Sequence, residues 1–325
     1  MKPKVFIAKP ISRQVENYIA EHCEYKIWRE EERIPDDILF REIQDVQGLM
    51  TPKAKVTESF IKQAPNLKII SHISVGYDTL DTELMAKHKI IGTHTPYVLD
   101  HTVADLIFGL ILSSSRRISQ LDHYVKDGKW NKLDDPSFLS KDVHHATLGI
   151  IGMGRIGEQV AKRAAQGFDM NVLYYNRRPR PEVEEKYGLK RESMEQLLKK
   201  SDFVLTMVPL TEETHHLIGA RELKQMKEDA LLINASRGQV VDEKALIHAL
   251  KEGIIGGAGL DVFEKEPVDP SNSLLKMDNV VTTPHIGSAT AQAREAMALK
   301  AAENLVAGVT GGKPKNIVKE LKHLG

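Results

Sequence analysis

Three polar residues stand just past apolar, strand-like runs: Arg237 in NASRG, Glu266 in GLDVFEKEP and His285 in TTPHIGS. In a parallel sheet those positions fall at the carboxyl ends of the strands, where ligand crevices form. A carboxylate beside an imidazole favours the protonated ring and keeps a proton donor available near neutral pH. An arginine supplies a planar, permanently charged fork for a carboxylate and a carbonyl dipole. Proton donor, orienting acid and cation together suit reduction of a 2-oxo acid, in which hydride reaches the carbonyl carbon as a proton reaches its oxygen. Taken singly, Arg237 and Glu266 read as loop ion pairs and His285 as a satisfied histidine beside a turn. Their order after a glycine loop favours the chemical reading.

That loop lies in TLGIIGMGRIGEQVAKRAAQGF, where Gly152, Gly154 and Gly157 have the G-x-G-x-x-G spacing between an apolar strand and a helix. Such glycines allow a tight turn, close backbone approach to a pyrophosphate and close packing of helix on strand. The following strand, NVLYY, runs into NRRPRP, so Asn176 occupies the place where an acid would accept hydrogen bonds from the adenosine ribose and repel a 2′-phosphate. Arg177, Arg178 and Arg180 offer donors matched to phosphate oxygens. The expected cofactor is therefore NADP(H), with NAD(H) also usable. Elsewhere in the chain the same arginines would read as a solvated surface loop.

The elements that must position these groups form two series. KVFIAK, YKIW, VQGLMT, LKIISHI and IIGTHT alternate with helical patterns over the first hundred residues, which predicts a parallel sheet covered by helices. LDHTVADLIFGLILSSSRRI, from about 99 to 118, predicts one long buried helix, followed by a polar stretch to His145. A second βα series runs through ATLGII, NVLYY, FVLTMV, ALLINA, GAGLDVF and NVVTTP, in the rhythm of a doubly wound domain. The last forty residues predict a helix that packs back across the first domain. The fold class is α/β, with two doubly wound parallel-sheet domains.

The 325 residues suit two domains, and 45 Lys plus Arg balance 45 Asp plus Glu, so no global field attracts nucleic acid or an anionic membrane. The single cysteine, Cys23, excludes an intrachain disulfide and a thiolate metal cluster and fits a reducing cytoplasm. The start reads as a strand rather than a signal peptide, and no apolar run is long enough to span a bilayer. The pairs His144-His145 and His215-His216 invite a metal reading. Adjacent strand residues point to opposite faces and no third ligand is evident, so no metal is expected.

With SVGYD at 74–78, HTVAD at 101–105, GKW at 128–130, LGIIGMGRIG, NASRG, GLDVFEKEP and PHIGSAT, the chain resembles the D-isomer-specific 2-hydroxyacid dehydrogenases over essentially its whole length. Within them it looks most like the glyoxylate/hydroxypyruvate reductase and 2-ketogluconate reductase branch. The resemblance implies a Rossmann coenzyme domain, 101–285, inserted into a flavodoxin-like substrate domain, 1–100 and 286–325, with the active site in the cleft and a homodimeric assembly. It implies that Arg237 binds and polarises substrate, Glu266 orients the histidine and His285 donates the proton. Val75 and Gly76 match a loop whose amides hold the substrate carboxylate. Ser288 matches a polar active-site neighbour, and Trp130 an aromatic that reaches the partner subunit's active site or packs in the interface. Thr102, Arg155, Ile156, Pro209 and Asp261 match cofactor contacts.

The activity implied is reduction of glyoxylate, hydroxypyruvate or 2-ketogluconate to the D-2-hydroxy acid. Two alternatives share the fold. C-terminal-binding corepressors keep the same three polar groups and sense dinucleotides, but PHIGSAT and GKW match metabolic reductases. A formate-dehydrogenase-like role needs no proton donor, and such relatives carry Gln where Glu266 stands.

Overall fold

The computed structural model describes residues 1–133 and 135–325; Asp134 lies outside the described residues. Two compact units form: Met1–Leu99 with Ala289–Gly325, and Asp100–Ser288.

In the first unit β1 (Lys4–Ile7), β2 (Glu24–Ile27), β3 (Gly48–Thr51), β4 (Ile69–His72) and β5 (Ile91–Thr93) make a parallel sheet in the order β2-β1-β3-β4-β5. The central strands β3 and β4 are buried at every position, which is why GLMT and IISH lack a polar/apolar alternation. Helices Arg13–His22, Glu58–Gln63 and Thr82–Lys87 each start at a side-chain cap, from Ser12, Thr57 and Asp81. Helix Ala291–Thr310, capped by Thr290, returns to lie on β3 and β4 as expected. Ser71 Oγ on β4 donates to its Ala301 carbonyl at 2.7 Å, satisfying a fully buried hydroxyl.

One charged cluster in this unit sets a pH dependence. Arg29 donates two bonds to Glu16, at 2.9 and 2.5 Å, and Tyr25 Oη donates a third at 2.7 Å. These bonds, Arg29's first, push the Glu16 carboxyl down from 4.5 to about 2. A depressed carboxyl adds stability that is present above the ordinary carboxylate range and lost as pH falls through the folded value. Glu16→Gln is expected to cost about 1 kcal/mol at neutral pH and almost nothing near pH 2. Urea midpoints of both proteins across that range check it, and curves that stay parallel to the acid end would rule out the pair as the source.

The second unit carries β6 (Thr147–Ile151), β7 (Asn171–Tyr175), β8 (Lys190–Arg191), β9 (Phe203–Thr206), β10 (Leu231–Asn234), β11 (Gly257–Leu260) and β12 (Val280–Thr282). Its parallel order, β12-β11-β10-β9-β6-β7-β8, reverses direction between β6 and β9, the position at which doubly wound sheets bind ligands. The long buried helix expected over about 99–118 runs from Asp100 to Ser115; the chain then turns at Arg117, in a left-handed conformation (φ 54), into a second helix, Ile118–Lys126, that was not expected. Among the described residues no helix is long and apolar enough to cross a membrane.

Candidate active site

Arg237, Glu266 and His285 follow β10, β11 and β12, three strands that pair in sequence, so the sheet itself brings them to one edge. His285 Nδ1 lies 2.8 Å from Glu266 Oε2, and Glu266 Oε1 accepts the Phe263 amide at 3.2 Å. Burial pushes the Glu266 carboxyl up, but the bond and charge of His285, the Phe263 amide and the charge of Arg237 outweigh it, and the net direction is down. Glu266 is thus held as a carboxylate at neutral pH, facing the second nitrogen of a ring whose side chain is 47% exposed. Arg237 is set by its backbone: its carbonyl accepts Asn234 Nδ2 at 2.9 Å, and its Nη1 donates to the Ser236 carbonyl at 2.8 Å. The next residue must be glycine, since a Cβ at Gly238 would sit 1.9 Å from the Phe263 carbonyl carbon. That contact locks the Arg237 loop to the segment carrying Glu266.

His285 itself has φ 53, a left-handed conformation that non-glycine residues rarely adopt, so something must hold it. Asp261, 1% exposed at the end of β11, does so. Its Oδ1 accepts Thr283 Oγ1 at 2.6 Å and the Ile286 amide at 2.8 Å, its Oδ2 accepts the Gly287 amide at 2.9 Å, and its carbonyl accepts the His285 amide at 2.9 Å. Sequence reasoning assigned Asp261 only to cofactor contact, because partners that are backbone amides leave no trace in side-chain spacing. Asp261→Asn would turn an NH₂ group toward an amide donor. It is expected to lower turnover by about tenfold or more while the protein stays folded. Steady-state rates beside a thermal midpoint check this; unchanged turnover would free the His285 loop from Asp261.

At the switch point the glycine loop follows β6. Gly152 has φ 106, and a Cβ there would come within 2.4 Å of the Met207 carbonyl oxygen, so only glycine fits. Gly154 caps helix Arg155–Gly167 without a side chain, and a Cβ there would meet nothing within 4 Å, leaving open space against the backbone. A helix leaves its first amides, here those of Arg155 and Ile156, without an intrahelical acceptor, an arrangement suited to an anion. Gly157 is buried against Gly152, whose oxygen would lie 2.7 Å from an added Cβ. These features fit a dinucleotide pyrophosphate. Thr102 is half-buried in the first turn of helix Asp100–Ser115, Arg155 Nε reaches Asp100 Oδ2 at 3.2 Å, and Pro209 is exposed just after β9.

The three arginines after β7 part company. Asn176 is half-buried, and its carbonyl accepts Arg191 Nη2 at 3.0 Å. Arg177 pairs with Glu213 at 2.7 Å, both well exposed. Arg178 is exposed and pairs with nothing among the described residues. Arg180, expected beside them as a phosphate donor, is instead engaged inside the protein by Met153, Glu158 and Glu182.

In the first unit Val75 and Gly76 follow β4, and neither amide donates to another group among the described residues. The Val75 carbonyl lies 2.9 Å from His94 Nδ1, and Tyr77 packs edge-on against the His94 ring. Ser288 is half-buried three residues beyond His285, and Trp130 is 55% exposed, its Nε1 donating to the Lys132 carbonyl.

The reading of His215 and His216 is corrected. They lie in a turn rather than a strand, so their rings stack with centroids 4.0 Å apart instead of facing opposite ways. Two carboxylates also stand near His216, though not near His215: His216, Asp242 and Glu264 each bring one ligand atom within 4.8 Å of the others. Within that group His216 Nε2 lies 2.7 Å from Glu264 Oε1, while the Ala245 and Glu243 amides donate to the two acids.

With this geometry established, comparison with known proteins gives one consistent result. The family described as D-isomer specific 2-hydroxyacid dehydrogenase, NAD binding domain, matches residues 108–287. A glyoxylate reductase of Thermococcus litoralis is 47% identical, with 98% of each chain covered. A glyoxylate/hydroxypyruvate reductase B of Yersinia enterocolitica is 43% identical, again with 98% of each covered. Among solved structures, an NADPH-dependent glyoxylate/hydroxypyruvate reductase of Sinorhizobium meliloti, in complex with NADP and malonate, is 32% identical with a TM-score of 0.85, covering 99% of this chain and 98% of that one.

Proposed function

The chain belongs to the D-isomer specific 2-hydroxyacid dehydrogenase family, and from that premise we propose that it reduces glyoxylate and hydroxypyruvate with NADPH, yielding the D-2-hydroxy acid. The observation that carries the reading is the 2.8 Å pair of His285 Nδ1 and Glu266 Oε2, beside Arg237 at the ends of adjoining strands. Reductases among the relatives support the substrate class, and for that reason a corepressor-like sensing role is not favoured. 2-Ketogluconate stays within the proposed substrate range, and a cytoplasmic location accords with the lone, buried Cys23.

The bound nicotinamide dinucleotide supplies the hydride. Gly152, Gly154, Arg155, Ile156 and Gly157 would hold its pyrophosphate, Thr102, Pro209 and Asp261 would contact its other groups, and Arg178, with Arg177 and Asn176, would receive the 2′-phosphate end. Arg237 binds the substrate carboxylate and polarises the carbonyl, with the Val75 and Gly76 amides as further donors and Ser288 as a polar neighbour. His285 holds a proton on Nε2 and delivers it to the carbonyl oxygen, while Glu266 at Nδ1 fixes the ring and offsets the imidazolium charge.

A homodimer belongs to the same reading. Helix Ile118–Lys126 buries none of its residues, and Ile118, Val125, Trp130, Leu133 and Leu139 are all exposed on the single chain, more apolar surface than one stretch usually leaves to water.

Initial rates, followed by the loss of reduced-nicotinamide absorbance, test the proposal with NADPH and NADH crossed against glyoxylate, hydroxypyruvate and 2-ketogluconate. The expected result is fastest turnover with NADPH and one of the two smaller acids. Tight nucleotide binding with no turnover on any acid would overturn it in favour of a sensing role.

A further inference from the structure

Arg180 occupies an unusual place for an arginine in a phosphate-recognition loop. Its side chain is only 28% exposed and makes bonds in three directions. Nη1 donates to the Met153 carbonyl at 2.9 Å, Nη2 pairs with Glu158 Oε2 at 3.2 Å, and Nε pairs with Glu182. Its own amide donates to Tyr174 Oη at 2.8 Å, so backbone and side chain are both anchored. Met153 is the middle residue of the GMG turn, and the peptide whose carbonyl Arg180 holds is the one whose N–H belongs to Gly154. Glu158 lies in the first turn of helix Arg155–Gly167, the turn that presents amides to a pyrophosphate.

From this geometry we infer that Arg180 is a positioning residue that ties the 2′-phosphate loop after β7 to the pyrophosphate loop after β6, and is not itself a ligand of the 2′-phosphate. The inference rests on the dinucleotide reading above and adds a division of labour to it. Three of its five N–H groups are committed to a buried carbonyl and two carboxylates, so a phosphate could be met only through the remaining two, beside two carboxylate charges that repel it. Two consequences follow from its removal. The Met153–Gly154 peptide loses the donor that fixes its plane, and the Glu158 carboxylate is left less compensated beside the place where a pyrophosphate binds. Both act on the part common to NADPH and NADH. Recognition of the 2′-phosphate is left to the exposed Arg178, which has no partner among the described residues, with Arg177 and Asn176 beside it.

The test is calorimetric titration of the full-length protein with NADPH and with NADH, for the unaltered chain and for Arg180→Met, Arg180→Lys and Arg178→Ala. Arg180→Met should weaken both nucleotides by the same factor, about tenfold or more. Lysine has one donor group where the fork reaches three partners, so Arg180→Lys should recover little. Kinetically, the KM for both nucleotides should rise with kcat at saturation retained, whereas a fold defect would lower the active fraction and kcat instead. Thermal midpoints measured in parallel separate the two. A loss confined to NADPH, or no loss for either nucleotide, would overturn the inference. The NADPH reading fails separately: if Arg178→Ala weakens both nucleotides equally or neither, NADPH preference falls while the positioning role of Arg180 stands on its own result.

Discussion

Replacing His285 with alanine is expected to lower kcat by about two to four orders of magnitude while leaving the NADPH dissociation constant nearly unchanged. The ring is the proposed proton donor, and its backbone is held in place from β11 by Asp261 rather than by its own side chain. Truncation should therefore remove the donor without collapsing the loop. Glu266→Gln separates orientation from charge at the same pair. An amide can still contact Nδ1 but cannot offset an imidazolium charge, so turnover at the optimum should fall, though by less than in His285→Ala. The variant should also lose the acid limb of the pH–rate profile that the Glu266 carboxyl sets. The Glu266 carboxyl is held below its ordinary range, so its charge persists through neutral pH and is lost only as pH falls through that lowered value. Near-normal turnover in His285→Ala would remove this residue from the chemistry, and an unchanged acid limb in Glu266→Gln would reduce the pair to a surface contact.

Arg237→Ala is expected to be almost as severe, with kcat/KM for the 2-oxo acid falling by about two to three orders of magnitude. A fixed cation at the carbonyl is worth most as charge develops on the oxygen, so the loss should appear in kcat as well as KM. Arg237→Lys should restore only part of it, because an ammonium cannot engage a carboxylate through two parallel bonds. Nucleotide affinity should be unaffected in both variants. Because Gly238 presses on Phe263, side-chain truncation at Arg237 leaves the loop seated, and a folded, inactive protein is the expected product. A rise in KM with kcat intact would limit Arg237 to uniform substrate binding.

How much of this could be read from the amino-acid order depends on what kind of partner each residue has. The runs FVLTMV and ALLINA were legible as strands because β9 and β10 are buried on both faces. The strand β8 was not legible, since it is two exposed residues, Lys-Arg, added at a sheet edge. The break after Ser115 left no mark either: Arg116 and Arg117 are ordinary helix formers, and only the left-handed φ of Arg117 divides the helices. In the site, Arg237, Glu266 and His285 stood out as polar residues at the ends of apolar runs, and their strands adjoin. Asp261 and Arg180 act on backbone groups, namely the Ile286 and Gly287 amides and the Met153 carbonyl. Backbone partners have no residue type, so spacing could not point to them. His216 was misread for a related reason, because its positive φ (52) places it in a turn where the two-residue alternation of a strand does not apply.

The most direct measurement follows the hydride itself. The purified protein, given hydroxypyruvate and NADPH carrying deuterium at both C4 positions, should release glycerate with one deuterium at C2 and the D configuration, read by mass spectrometry and chiral chromatography. Glycerate without deuterium, or of the L configuration, or no product at all while nucleotide binds, would contradict hydride reduction of a 2-oxo acid at the Arg237, Glu266 and His285 edge.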